Sequence, residues 1–166
     1  PGVIENSGPV ETMFFGLKGE ANERLRPLEN WLQQSGIKAL ASPQIETLVW
    51  EKFIFISPIA TATSYYRQTI GEIRSDPEKW TVLNQLLAEV VAVAGAKQIE
   101  VDPEIVAKTL YKYEKSPADS TSSMYRDFES HPDRTEVESL THYVIQEGER
   151  LGIEVKSYKS LYSGLA

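Results

Sequence analysis

A long apolar segment over residues 44–66 constrains the fold of this chain more than any other feature of its sequence. Its large side chains do not form one stripe but cover every side of a helix: Trp50, Phe53, Ile54, Phe55 and Ile56. A helix that is apolar all round has to be buried among other elements. Pro58 lies inside the segment and lacks a backbone donor, so we expect the helix to kink there. The sequence therefore predicts a central, kinked helix.

Helical periodicity continues along the rest of the chain, whereas strand signals stop at residue 43. Apolar residues recur at spacings of three and four, which indicates about six helices after this point. They are predicted over residues 44–66, 77–95, 103–113, 123–129, 135–151 and 157–162. Asp76 and Asp102, each followed by proline, are expected to start two of these helices. Thr135 with Glu138 matches a capping box and is expected to start another.

Residues 1–43 are predicted to be mixed α/β instead. Turn residues at 6–9 between two strand-like segments predict a hairpin, residues 20–35 predict a helix, and residues 37–41 predict a short strand. These strands are too few for an independent sheet, so we expect the rest of the sheet upstream in a longer protein. The sequence thus predicts an α/β remnant over 1–43 and an all-helical domain over 44–166.

The 166 residues include 24 acidic and 17 basic side chains, which gives a net charge of -7. Such a surface repels phosphate and anionic lipid, so neither nucleic acid nor a membrane is an expected partner. The absence of cysteine excludes disulfides, thiol catalysis and cysteine-zinc sites. Two histidines, His131 and His142, are too few for a histidine-rich metal site, and no metal is predicted. No apolar run is long enough to span a bilayer, and we expect a cytoplasmic protein.

Lys52 occupies an unusual position, because helical spacing places it on one row with Leu48, Ile56 and Ala60. A lysine on an apolar row most often packs its stem and extends its ammonium group to water. It can also pair with a carboxylate, or lose its water and become a proton donor for catalysis. Spacing alone favours the first alternative and leaves the others open.

Ser123 and Glu136 lie near the predicted starts of two helices, where serine usually caps the helix and glutamate stabilises its dipole. A first-turn carboxylate at the mouth of a cleft is equally able to bind a hydroxyl group. A Ser–His–Asp set of Ser123, His131 and Asp127 is disfavoured, since there is no nucleophile elbow and all three lie within nine residues. The glycine-containing segment 16–19 lacks the pattern of a phosphate loop and favours a plain turn.

Several short segments together make the chain resemble the ketopantoate reductases, specifically their C-terminal domain with the tail of their N-terminal domain. The strongest segment is Ser122-Ser123-Met124-Tyr125-Arg126-Asp127, which is followed by a second one over 134–138. The other segments are, in chain order, residues 1–4, 49–52, 69–72, Glu89, 94–95, 152–153 and 161–162. Each segment is short, and their order and spacing make the resemblance specific.

The resemblance implies a mainly α fold, the multi-helical C-terminal domain of the ketopantoate reductase and 6-phosphogluconate dehydrogenase type. The hairpin, helix and strand before it would be the end of an NADP-binding Rossmann domain. The implied activity is NADPH-dependent reduction of 2-dehydropantoate to pantoate in a cleft between the two domains, with a homodimer formed through the helical domain. Lys52 matches the family's catalytic lysine, which protonates the forming alkoxide, and Glu136 and Ser123 match substrate-binding residues. The glycine loop for NADPH belongs to the Rossmann domain, so this chain alone is expected to be inactive.

The sequence departs from the family at three positions that usually carry asparagine, where it has Ile56, Ala60 and Ile70. A site built to hydrogen-bond a polar substrate loses affinity when these partners become apolar. The expected activity is therefore 2-dehydropantoate reduction or, in a divergent paralogue, reduction of a related and less polar 2-oxo acid or ketone. A helical dimerisation module without catalysis is the alternative hypothesis.

Overall fold

The structure, a computed structural model, describes residues 12–18, 22–130 and 136–165. The chain divides into two compact units between Leu48 and Val49. The described residues form eight α-helices and two short strands, which confirms the mainly α fold. The predicted domain boundary after residue 43 stays a prediction.

The first unit contains one strand–helix–strand motif. Strand β1 (Met13–Phe15) is followed by a 3-10 helix (Asn22–Leu25), helix α1 (Arg26–Gln34) and strand β2 (Ala39–Ala41). The two strands pair in parallel, in a register that places Met13 opposite Ala39 and Phe15 opposite Ala41. The helix predicted over 20–35 and the strand predicted over 37–41 are thus present but shorter than expected. The first strand of the predicted hairpin lies outside the described residues.

Helix α1 is attached to β2 by two side-chain hydrogen bonds. The Gln33 amide donates to the Ala39 carbonyl at 2.8 Å, and the Glu29 carboxylate accepts the Ala41 N–H at 3.0 Å. No residue of α1 is buried, and Trp31, which forms an apolar stripe with Leu28 and Leu32 by their helical spacing, is 63% exposed. This stripe therefore lacks apolar cover within the described residues.

Seven helices follow β2, one more than the sequence pattern predicted. They are α2 (Ile45–Tyr66), α3 (Ile70–Ser75), α4 (Pro77–Ala96), α5 (Ile105–Lys115), α6 (Ser123–Ser130), α7 (Tyr143–Leu151) and α8 (Lys156–Tyr162). The additional helix is α3, which begins with a capping box between Thr69 and Glu72. A π-helical turn over Glu138–His142 leads directly into α7.

The predicted helix ends are confirmed at two positions and corrected at a third. The Asp76 carboxylate accepts the N–H groups of Glu78 and Lys79 and caps α4, and Gly152 ends α7 with a φ of 71°. Helix α5 begins at Ile105, later than predicted, because Asp102 closes a turn by accepting the Glu104 N–H at 2.8 Å. Thr135, of the predicted capping box, lies outside the described residues.

The part of α2 in the second unit is buried on several sides, as the apolar segment predicted. Ile54, Ala60 and Ala62 have no exposed surface. The main core also contains the inward residues of α4, which packs against α3, α5, α7 and α8. None of the helices described here is both long and apolar enough to cross a membrane.

Helix α2 continues through Pro58, and a tyrosine from α5 contacts its backbone next to the proline. The Tyr113 hydroxyl donates to the Phe55 carbonyl at 2.6 Å. Burial raises the pKa of Tyr113 well above its usual value, which keeps the hydroxyl protonated as a donor. Side-chain insertion into the helical hydrogen-bond ladder is a recognised cause of helix bending, as proline is.

Glu147 on α7 connects two helices of the second unit electrostatically. Its carboxylate accepts hydrogen bonds from Lys97, which follows α4, and from Arg150 at 2.8 Å on the same helix. The side chain of Glu147 is only 14% exposed. Arg150 and then Lys97 lower the pKa of Glu147 to about 2, well below its usual value of 4.5.

We predict that Glu147→Gln lowers the free energy of unfolding at pH 7 by about 2 kcal/mol. Because folding lowers this pKa, the stabilisation is complete above pH 4.5 and is lost as the pH falls towards 2. Urea denaturation of both proteins at pH 7, 5, 4 and 3 should therefore show a difference that narrows below pH 4.5. Glu154→Gln is the matched control, because Glu154 and Lys156 form a surface pair with more than 70% exposure. A difference for Glu147→Gln that stays constant with pH would contradict the prediction.

Candidate functional site

Lys52 lies on an exposed part of α2. Its ammonium group forms no ion pair with any residue of the described ranges. The next residues on its row become progressively buried, since Ile56 is half-buried and Ala60 is fully buried. Lys52 therefore adopts the first of the three predicted alternatives, with its ammonium group in water, and its catalytic role stays a prediction.

Ser123 and Glu136, which are 13 residues apart in the chain, are hydrogen-bonded to each other. The Ser123 hydroxyl donates to Glu136 Oε2 at 3.3 Å, and both residues are exposed. Ser123 is the first residue of α6, and Glu136 comes just before Val137 and the π-helical turn. The structure thus brings together the two residues that the resemblance assigns to substrate binding.

The start of α6 is fixed by Ser122. Its hydroxyl accepts the Tyr125 N–H at 3.0 Å, which caps the helix, and shares a 2.8 Å hydrogen bond with the Thr63 hydroxyl on α2. This confirms capping at the loop-to-helix junction and assigns it to Ser122. Ser123 follows directly, so its position relative to α2 is set by its neighbour.

The loop before Ser122 is held against α3 by backbone contacts. The Gly71 N–H donates to the Ala118 carbonyl at 2.9 Å, and the Ile70 N–H donates to the Ser120 carbonyl at 3.0 Å. A Cβ atom at Gly71 would lie 2.6 Å from the Ala118 carbonyl oxygen, which is too close for any side chain. Glycine therefore allows this close approach and helps to place the loop that leads to Ser123.

A small apolar cluster lies beneath the Ser123–Glu136 pair. It is formed by Ala60 of α2, Met124 of α6 and Val137, with Ile56 packed against it. Lys52 precedes Ala60 by eight residues, or about 12 Å along a helix. Ile56 and Ala60, which we call the apolar strip, follow Lys52 on its row of α2, and Ala60 packs with Met124 and Val137, the residues next to Ser123 and Glu136.

Two motifs considered in the sequence, the segment 16–19 and the Ser–His–Asp set, form no phosphate-binding or catalytic site among the described residues. Lys18 forms an ion pair with Glu46 at 2.5 Å, and a Cβ atom at Gly16 would lie 2.4 Å from the Ser42 carbonyl oxygen. These contacts fit the turn that was predicted there, not a phosphate loop. Of the disfavoured Ser–His–Asp set, His131 lies outside the described residues, and Ser123 donates to a glutamate.

Side chains that could bind a metal are dispersed over the described residues. Among them, no three histidine, aspartate or glutamate side chains lie close enough together to hold a metal ion. The only glycine-containing turn that the sequence suggested for phosphate is packed against its own backbone at Gly16. No step of a cofactor's chemistry is therefore assigned to these residues.

The π-helical turn carries a polar cluster that the sequence pattern did not indicate. Glu138 binds His142 Nδ1 at 2.6 Å and accepts the Tyr162 hydroxyl at 2.9 Å. The His142 ring also stacks on the Tyr162 ring at 4.7 Å between centroids. The bond from His142, followed by that from Tyr162, lowers the pKa of Glu138. The four-residue spacing of Glu138 and His142 was the available signal, because it places both on one side of a helix.

An open groove of about 470 Å³ lies on the same surface of the second unit. Its lining is mostly apolar, with polar groups contributed by the π-helical turn and α7: Val49, Trp50, Phe53, Glu138, Ser139, Tyr143 and Gln146. Two of the lining residues, Val49 and Phe53, lie on either side of Lys52 in the sequence of α2.

Comparison with known proteins gives one family from the sequence and a similar fold from the structure. The family described as Ketopantoate reductase PanE/ApbA C terminal matches residues 44–166. The uncharacterized oxidoreductase YkpB of Bacillus subtilis is 27% identical over 167 residues, which cover 99% of this chain and 54% of that protein. A 2-dehydropantoate 2-reductase of Archaeoglobus fulgidus is 26% identical over 160 residues, which cover 96% of this chain and 53% of that protein.

A dimeric ketopantoate reductase from Staphylococcus aureus has a similar fold. The TM-score is 0.81 at 22% identity, over 93% of this chain and 53% of that chain. The chain thus spans about half the length of the relatives it matches. From the family match over residues 44–166, the chain belongs to the ketopantoate reductase family and contains its C-terminal domain.

Proposed function

We propose that the full-length protein containing this chain is an NADPH-dependent reductase of a 2-oxo acid. The substrate is 2-dehydropantoate or a less polar relative. Family membership and the oxidoreductases among its relatives support the reaction class. The observation that carries the proposal is the Ser123–Glu136 hydrogen bond, next to the residues that pack with Ala60 of the apolar strip.

Reduction of a ketone requires a hydride at carbon and a proton at oxygen. NADPH supplies the hydride when it is bound, and Lys52 is the proposed source of the proton. An ammonium group has three donor hydrogens, and Lys52 has no carboxylate partner in the described ranges to hold them. General acid catalysis of this kind contributes about 10²- to 10⁴-fold to a rate.

The Ser123–Glu136 pair is proposed to bind a polar group of the substrate. Its hydrogen bond of 3.3 Å is longer than the usual 2.5–3.0 Å of a bond between two oxygens. A long, exposed bond is weak, so the serine and the carboxylate can exchange it for a substrate hydroxyl or, through Ser123, a carboxylate. Glu136 would accept from a hydroxyl, and Ser123 would donate to an anion.

The apolar strip supports a less polar substrate than 2-dehydropantoate. Ala60 is fully buried against Met124 and Val137, and Ile70 is fully buried in the main core. Ile56 is half-buried between Lys52 and Ala60 on the same row. Of the three positions that usually carry asparagine in the family, only Ile56 is partly exposed, and its side chain offers a substrate no hydrogen bond.

The Staphylococcus aureus protein with this fold is dimeric, and we extend a homodimer to the present protein as a proposal. A cytoplasmic location and the inactivity of this chain alone also stay predictions. The alternative, a dimerisation module without catalysis, predicts no turnover by the full-length protein with any 2-oxo acid.

The substrate preference is tested with the full-length protein, NADPH, 2-dehydropantoate and its deoxy analogue 3,3-dimethyl-2-oxobutanoate. We expect the preference for 2-dehydropantoate to stay below about 1,000-fold, because Glu136 and Ser123 can pair with its hydroxyl group but residues 56, 60 and 70 supply no amide that would add to this pairing. A preference for 2-dehydropantoate above about 1,000-fold would exclude the less polar substrate and leave the reductase in place. Absence of turnover with both acids, and with NADH as well as NADPH, would contradict the reductase.

The role of Lys52 is tested with Lys52→Ala in the same full-length protein. We predict that kcat falls by about 10²- to 10⁴-fold, because the forming alkoxide loses its proton donor. The melting temperature should stay unchanged, since the ammonium group is exposed and makes no ion pair with the described residues. Lys156→Ala is the matched control, because Lys156 is 76% exposed and pairs only at the surface. A Lys52→Ala protein that keeps kcat within threefold of the parent would contradict the assignment.

A further inference from the structure

We propose that Ser57 and Thr61 are positioning residues, which fix Glu136 relative to Lys52 by hydrogen-bonding the π-helical turn that follows Glu136. This inference rests on the proposed function, in which Lys52 and Glu136 act on one substrate. Neither Ser57 nor Thr61 has any exposed surface, so neither can touch a substrate itself.

The two hydroxyl groups bind consecutive residues of the turn. The Ser57 hydroxyl donates to the Leu140 carbonyl at 2.6 Å, and Thr61 shares a 2.8 Å hydrogen bond with the Thr141 hydroxyl. Ser57 and Thr61 lie one helical turn apart on α2, the helix that carries Lys52. The turn is therefore attached to this helix at two adjacent points.

The π-helical turn is also hydrogen-bonded to the backbone of Glu136. The Glu136 carbonyl accepts the Leu140 N–H at 2.8 Å and the Ser139 hydroxyl at 3.1 Å. A continuous path of short contacts therefore runs from Lys52 along α2 to Ser57, across to Leu140 and back to Glu136. Moving the turn along or around α2 would move the Glu136 carboxylate with it.

The π-helical geometry makes this attachment consequential. A π-helical turn is rare and contains one residue more than an α-helical turn. Relaxation to α-helical geometry would rotate Glu136 by about 100° around the axis of α7, because one residue corresponds to that angle. The carboxylate would then turn away from Ser123. Ser57 and Thr61 oppose this relaxation because they bind the turn from outside.

The surroundings of the Ser57 and Thr61 hydroxyl groups indicate that these groups determine how the π-helical turn is placed on α2. Neighbouring positions of α2 and α7 are apolar and fully buried, as at Ile54, Ala60 and Val144. Apolar residues of the same shape would pack there without the cost of burying hydroxyl groups. Paired hydroxyls are directional, so they specify one register between the two elements. Ser57 also shares a 2.6 Å hydrogen bond with the Tyr158 hydroxyl, which secures its orientation.

The proposal is tested by separating the shape of Thr61 from its hydroxyl. Thr61→Val keeps the shape and loses the hydroxyl, whereas Thr61→Ser keeps the hydroxyl and loses a methyl group. Thr81→Val is the matched control, because the Thr81 hydroxyl bonds only the Pro77 carbonyl at the surface of α4. Thr141→Val removes the same bond from the other side and provides a second variant if Thr61→Val does not fold.

The first measurement is the distance between spin labels on cysteines introduced at Lys52 and Glu136. These 166 residues contain no cysteine, so labelling in the full-length protein requires only that any cysteines elsewhere be replaced by serine. We expect Thr61→Val and Thr141→Val to shift or broaden the distance distribution. Thr61→Ser and Thr81→Val should reproduce the parent distribution. A parent-like distribution in both valine variants, or equal broadening in Thr61→Ser, would overturn the proposal.

The second measurement is steady-state kinetics of the full-length variants with 2-dehydropantoate and its deoxy analogue. Misplacement of Glu136 is expected to lower kcat/KM by about tenfold to 100-fold in Thr61→Val, mainly through a higher KM. Thr61→Ser should keep the kcat/KM of the parent protein, because it keeps the hydroxyl group. If Thr61 only filled space, Thr61→Ser would lower kcat/KM at least as much as Thr61→Val. If the full-length protein reduces no 2-oxo acid, the proposed function fails, and the distance measurement alone still decides whether Ser57 and Thr61 set the geometry.

Discussion

The second unit depends on the burial of one helix. In α2, almost every side of the helix is apolar, so it is stable only with other helices around it. Its fully buried residues include Ile54 and Ala62, which lie in the main core together with the inward residues of α4. Tyr113 is a polar residue paired within this core, since its hydroxyl donates to the Phe55 carbonyl.

The candidate site follows from how α2 passes from water into this core. Lys52 is exposed, Ile56 is half-buried, and Ala60 is covered by Met124 and Val137. Each of these two covering residues directly follows one member of the polar pair in the chain: Met124 follows Ser123, and Val137 follows Glu136. The apolar packing thereby fixes where the polar groups emerge. Lys52 and the carboxylate–hydroxyl pair are therefore connected through Ile56 and Ala60, the two residues of the apolar strip.

Much of the fold could be predicted from the sequence, because the signals that decide it are local. The apolar segment located α2, Asp76 located the start of α4, and Gly152 located the end of α7. Helix α3 escaped prediction although Thr69 and Glu72 form a capping box, since six residues are too short for a periodic apolar pattern. At Asp102 the local signal was misleading, because the aspartate closes a turn before α5 begins.

The site was less predictable, because its geometry depends on contacts between distant segments. Local patterns gave Ser123 and Glu136 ordinary helix-end roles, and only the resemblance to a family paired them with a substrate. Ser57 and Thr61 carried no signal, since a hydroxyl on a buried helix looks neutral until its partner 80 or more residues away is known. The π-helical turn is likewise absent from any local pattern, and its hydrogen bonds with Ser57 and Thr61 join segments that are far apart in the chain.

A crystal structure of the full-length protein with a bound 2-oxo acid would test the account most directly. The measured quantity is the distance from Lys52 Nζ to the carbonyl oxygen of the substrate. The account predicts a distance of about 2.6–3.2 Å, with a polar group of the substrate on Glu136 or Ser123. A substrate bound with Lys52 beyond hydrogen-bond reach and the Ser123–Glu136 bond intact would contradict it.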